Sequence, residues 1–126
     1  GYPMGVFKRL NDFDKAVVTT LYICFELKEN ICSDFMVHYF DSGLMNNNLR
    51  KIAKEGGRAH GLLNIGIEDF MNLKITMPSL EEQTAIAAIL NTAQQELKQY
   101  QEKLKALQQQ KKGLMQQLLT RKIRTI

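Results

Sequence analysis

Basic and amide side chains gather at three places in the first half of the chain: Lys8-Arg9, then Arg50, Lys51 and Lys54, then Arg58, His60 and Asn64 in a glycine-rich stretch. Lysine and arginine neutralise phosphate, arginine can pair bidentately with guanine, and asparagine can do the same with adenine. The candidate set for contact with double-stranded DNA is therefore Lys8, Arg9, Arg50, Lys54, Arg58, His60 and Asn64. A plainer reading stands beside it, because solvated lysines and arginines on a surface need no function.

Other chemistry has weaker support. Cys24 and Cys32 stand eight apart, His38 and His60 are isolated, and no pair has the spacing of zinc ligands, so buried thiols and ordinary histidines are the simpler account. Glu26-Leu27-Lys28, with Asp12 and Asp14 upstream, has the residue types of an acid-acid-x-lysine nuclease site, in which carboxylates hold a metal and the lysine steadies the attacking water. An E-x-K triplet is common by chance. Gly56-Gly57 lacks the lysine and the serine or threonine of a phosphate loop and reads as a helix stop. The Asn-Pro-Pro-aromatic motif of DNA amino-methylation is absent. The reading is of a chain that is not an enzyme, with no catalytic residue, no metal site and no cofactor.

Two different kinds of chain must position these residues. All ten glutamines follow residue 79, whereas nine of the ten aromatics and seven of the eight glycines precede it. This break at Pro78-Ser79 divides a mixed domain, 1–78, from a helical segment, 79–126. Within the domain, Ala16 to Leu27 is rich in Val, Thr, Tyr, Ile and Phe and is expected to form a strand buried in a sheet. Ser33-Asp34 opens a short helix bearing Phe35, Met36, Tyr39 and Phe40, and a second helix is expected from about Asn47 to Glu55. The glycine-rich stretch from Gly56 to Gly66 is expected to be irregular, and the alternation of Leu73, Ile75 and Met77 predicts a short strand. The expected fold class is α+β.

Ser79-Leu80-Glu81-Glu82 is a capping box, so the long helix should start there. Ile86, Leu90, Ala93, Leu97, Tyr100, Leu104, Leu107, Lys111, Leu114 and Leu118 then follow in an unbroken 4, 3 spacing, and nine of these ten seam positions are apolar. A 3.5-residue period sustained over four heptads is the signature of a coiled coil. Lys111, followed by Gly113, either sets register or orientation at some cost in stability or marks fraying of the last turns.

Locating the charge changes what it implies. The formal excess of +4 is tempting as a sign of nucleic acid, yet residues 1–79 carry nine bases and nine acids. Residues 80–102 are net −3 and residues 103–126 net +7. An antiparallel pair of such helices lays each basic end along an acidic start, so antiparallel pairing is expected. No apolar run is long enough to span a membrane, only two cysteines are present, and no leader pattern stands at Gly1, so the expected location is cytoplasmic.

At GLLNIGIEDFMNLKITMPSLEEQTAIAAIL the chain resembles the specificity (S) subunits of type I restriction-modification enzymes, whose target-recognition domains end in an apolar strand, a proline, a Glu-Gln pair and a long helix. Here these are Leu73 to Met77, Pro78, Glu82-Gln83 and the helix itself. The likeness continues through Leu21-Tyr22, where Thr19-Thr20 replace the family's usual serine-proline, through Gly56-Gly57-Arg58, and into the closing QQLLTRKIR. It spans nearly the whole chain.

The resemblance implies a non-catalytic DNA reader. In that family two recognition domains each read half of a split target, two helices pair antiparallel as a spacer, and the subunit docks modification subunits that methylate adenine and, through the complex, restriction subunits. It implies a partial recognition domain over 1–78, as of a fragment or half-subunit, followed by the spacer helix, whose partner comes from the same or a second S chain. Base-contacting residues do not transfer by position, since recognition domains read different targets, so the contact set above rests on chemistry. The competing expectation is a coiled-coil protein-interaction module without DNA binding.

Overall fold

The computed structural model describes residues 6–11, 14–19, 22–55 and 63–120, and the chain falls into two units, Gly1–Ala87 and Ala88–Ile126. In the first unit, helix α1 (Ser33–Asp41) packs Phe35 and Met36 into a core closed by Ala87, with Leu27, Ile31, Cys32, Tyr39, Phe40 and Met77 around it. The helix stops where Ser42 donates to the carbonyl of His38 and Gly43, at φ +77°, donates to Phe40. A glycine takes this left-handed position without the clash a Cβ would bring. Helix α2 (Asn46–Ile52) buries Leu49, and Met45 just before it is equally enclosed.

Aromatic rings make a second packing centre. Phe7 stacks on Phe40 with centroids 4.0 Å apart and planes within 5°, while Phe25 meets Phe40 edge-on at 6.0 Å and Phe70 at 5.2 Å. Three separate stretches of chain are thereby gathered onto α1.

The expected α+β class is corrected. The described chain is helical, and its only β-structure is a two-residue antiparallel ladder, β1 (Lys54–Glu55) with β2 (Leu63–Asn64), too short to form a sheet layer. The expected strand over 16–27 does not form among its described residues: a turn bond joins Tyr22 N–H to the Thr19 carbonyl, and Val17 is fully exposed. From Ile23 to Leu27 only the two ends are half-buried, and Cys24, Phe25 and Glu26 between them are exposed. Leu73, Ile75 and Met77, by contrast, turn inward while Lys74 and Thr76 face out. This second run keeps the period of a strand without a ladder, because a strand requires a hydrogen-bonding neighbour and neither run has one among the described residues. The second expected helix ends at Ile52 instead of Glu55, and a short helix α3 (Ile67–Met71) occupies a stretch left without an element.

Helix α4 (Leu80–Thr120) runs unbroken for 41 residues, about 60 Å at the usual rise. The capping box at its start forms as expected: Ser79 N–H donates to Glu82 Oε2, and Glu82 N–H to Ser79 Oγ, each at 3.3 Å. The helix passes through Lys111 and Gly113 without interruption. Its first turns belong to the first unit, where Gln83 and Ala87 are buried.

Candidate nucleic-acid interface

The polar residues singled out by chemistry are held in different ways. Lys8 is exposed on an irregular segment next to Phe7, whose ring is anchored in the aromatic centre. Arg9 is committed to the start of α1, where its Nη1 donates to Ser33 Oγ at 3.0 Å and pairs with Asp34 Oδ1 at 2.5 Å. Both partners of that ion pair remain substantially exposed, at 38% and 46% of the side chain, so the pair is a weak tether.

Arg50 and Lys51 lie in the last turn of α2 and face solvent. Cations there complement the carbonyl end of the helix. One residue past the end of α2, Ala53 is extended and the chain enters β1. The ladder register sets Lys54 directly opposite Asn64 and Glu55 opposite Leu63. Two members of the expected contact set, ten positions apart in sequence, are thus brought side by side by backbone pairing. Arg58 and His60, and the Gly56-Gly57 stop, lie outside the described residues.

The end of α2 thus carries the exposed Arg50 and Lys51, and the backbone ladder that follows sets positions 54 and 64 opposite one another. Among the described residues no group of three or more His, Cys, Asp or Glu is placed to hold a metal ion, and Cys24 and Cys32 are both free thiols. No helix among them is long and apolar enough to cross a membrane.

The seam of α4 stays open. Ile86 and Leu90 are about two-fifths exposed, and Leu97, Tyr100, Leu104, Leu107, Leu114 and Leu118 lie between 51% and 70%. Ala93 and Lys111 are exposed too. One residue outside the expected set has a clear structural job: Gln83, 2% exposed, accepts from the amide of Cys32 and donates to the carbonyl of Pro78, both at 2.9 Å. Its place in the Glu-Gln pair after the proline was the signal that could have found it.

Comparison with known proteins gives one family. The model for the type I restriction modification DNA specificity domain matches residues 6–109, which takes in the first unit and the helix through its seam residue Leu107. No curated protein and no solved structure matches the chain.

Proposed function

Since this chain belongs to the type I restriction-modification DNA specificity domain family, we propose that it reads one half of a split DNA target for such a system and docks the modification subunits. The single observation that carries this reading is the extent of the family match, which runs from residue 6 through the domain and into α4 as far as residue 109. In this reading Lys8, Arg50, Lys54 and Arg58 neutralise phosphates, while Asn64, with His60, presents side chains to base edges. Arg9 joins them by exchanging Asp34 for a phosphate. The chain itself carries out no covalent step; methyl transfer and cleavage belong to the modification and restriction subunits it assembles with.

Helix α4 is the spacer, pairing antiparallel with a second helix through the seam from Ile86 to Leu118. Residues 1–79 are charge-balanced, so specificity in this reading comes from placed side chains more than from a general basic field. The test is footprinting of the chain assembled with its modification subunits, at low and at moderate salt. Protection of a defined half-site is the expected result, with affinity falling steeply as salt rises. Uniform protection at every sequence, or none, would overturn the proposal; an assembly that binds protein but no DNA would favour the interaction module.

A further inference from the structure

Helix α4 carries a second regular pattern, apart from its seam. Gln94, Lys98, Gln101, Lys105, Gln108 and Lys112 follow in 4, 3 spacing and alternate amide with ammonium. The three lysines stand seven residues apart, so they fall within about 40° of one another around the helix and rise about 10.5 Å at each step. Each directly follows a seam position, Leu97, Leu104 or Lys111, and so lies about 100° round the helix from it. Pairing through the seam therefore leaves the lysines open to solvent. All six side chains are exposed, and among the described residues none of the three lysines is in an ion pair. Of the two acids in this span, Glu96 falls on the opposite face and Glu102 borders the row without coming within ion-pair distance of a lysine.

We propose that this row binds the phosphates of duplex DNA outside the half-site. This rests on the DNA reading proposed above and adds a second, sequence-independent DNA surface to it. A surface that docks protein has an apolar centre with aromatic or arginine anchors and is poor in lysine. The row from Gln94 to Lys112 has no apolar, aromatic or arginine member. Interfaces with DNA are polar and basic, and lysine and glutamine both donate to phosphate oxygens. Residues 1–79 are charge-balanced, so the net positive charge that phosphates would meet lies along the helix, where residues 103–126 are net +7. From Lys98 to Lys112 the row rises about 21 Å, or about six base-pair steps of 3.4 Å.

A diffuse attraction of the whole basic helix end is the competing account, and Lys103 separates the two. It lies two residues from Lys105, about 160° round the helix, and is likewise exposed. A general field would feel the loss of either charge equally. Contact through the row depends on Lys105 and not on Lys103, because exposed charges more than about 8 Å apart are largely screened at physiological salt.

The test measures DNA binding by the chain assembled with its modification subunits, over a range of salt. Lysine and glutamine have similar helix propensity, so Lys→Gln variants keep α4, as the 222 nm signal should verify. The unsubstituted assembly should bind a half-site duplex more tightly when about ten base pairs are added beyond one of its ends, a length that exceeds the row. Lys98→Gln, Lys105→Gln and Lys112→Gln together should abolish that gain. They should also lower the slope of log affinity against log salt by about two to three, on target and non-target DNA alike. Lys105→Gln alone should lower the slope by about one while Lys103→Gln leaves it unchanged; equal effects of the two would overturn the row in favour of the general field. A protected half-site with slope and length dependence intact in the triple variant would overturn the second surface and leave DNA reading standing. Loss of the modification subunits from the triple variant, with its salt slope intact, would make the row a protein-docking surface and overturn the proposal. No half-site protection by the unsubstituted assembly would overturn DNA reading itself, and this surface with it.

Discussion

Gln83 Oε1 accepts the backbone amide of Cys32 at 2.9 Å, so a side chain of α4 supplies the first turn of α1 with an acceptor that α1 itself lacks. Cys32 is the N-cap of α1 and makes no side-chain cap bond, and the residue three positions on, where a capping box carries Glu or Gln, is Phe35. Phe35 is needed in the core, so the acceptor comes from elsewhere in the chain. Gln83 Nε2 in turn donates to the carbonyl of Pro78, which ties the entry of α4 to the start of α1.

Replacing Gln83 by Ala should therefore destabilise the first unit by about 2–3 kcal/mol, the cost of leaving an enclosed amide and carbonyl unpaired. Gln83→Glu keeps one acceptor but loses the donor to Pro78, and should fall between. Urea unfolding followed by loss of aromatic near-ultraviolet dichroism would measure both. A change under 0.5 kcal/mol for Gln83→Ala would mean that the two bonds contribute nothing net.

Gly113 stands inside α4, and a Cβ built on it meets no atom within 4 Å. Its neighbours in the turn leave room, so the glycine only adds freedom to the unfolded chain. Gly113→Ala should raise helix stability by about 1 kcal/mol, seen as a higher thermal midpoint of the 222 nm signal.

Local signals were the legible ones. The Ser79–Glu82 box, the long helix that follows it and the Phe35–Phe40 helix each depend on residues within one or two turns, and each forms. The strands expected from β-branched and aromatic composition at 16–27 and from alternation at 73–77 do not form, because neither signal says whether a hydrogen-bonding neighbour exists. The same limit hid the long-range pairings. Lys54 faces Asn64 through a ladder that bridges a glycine-rich stretch with no strand signal, and Arg9 pairs with Asp34 across 25 residues. Residue types suggested DNA contact; only the fold shows which of them are neighbours and which is already engaged.

Arg9 offers a direct test of that engagement. Asp34→Asn removes the charge that holds it, and the pair is exposed enough that stability should change by less than about 1 kcal/mol. DNA affinity should rise by a few-fold for Asp34→Asn and fall for Arg9→Ala, measured by fluorescence anisotropy on the assembled complex. Equal affinity in all three proteins would remove Arg9 from the contact set.

Lys54 and Asn64 occupy facing positions in the ladder, yet their chemistry predicts different losses. Lys54→Ala should weaken binding to target and non-target DNA alike and reduce the slope of log affinity against log salt by about one. Asn64→Ala should leave that slope unchanged and lower target affinity alone, by about 1–3 kcal/mol if its amide reads an adenine. Each substitution removes a side chain without touching the backbone bonds of the ladder, so the two effects are separable. Identical losses on both DNAs for Asn64→Ala would make it a backbone contact and move base reading to other residues of the set.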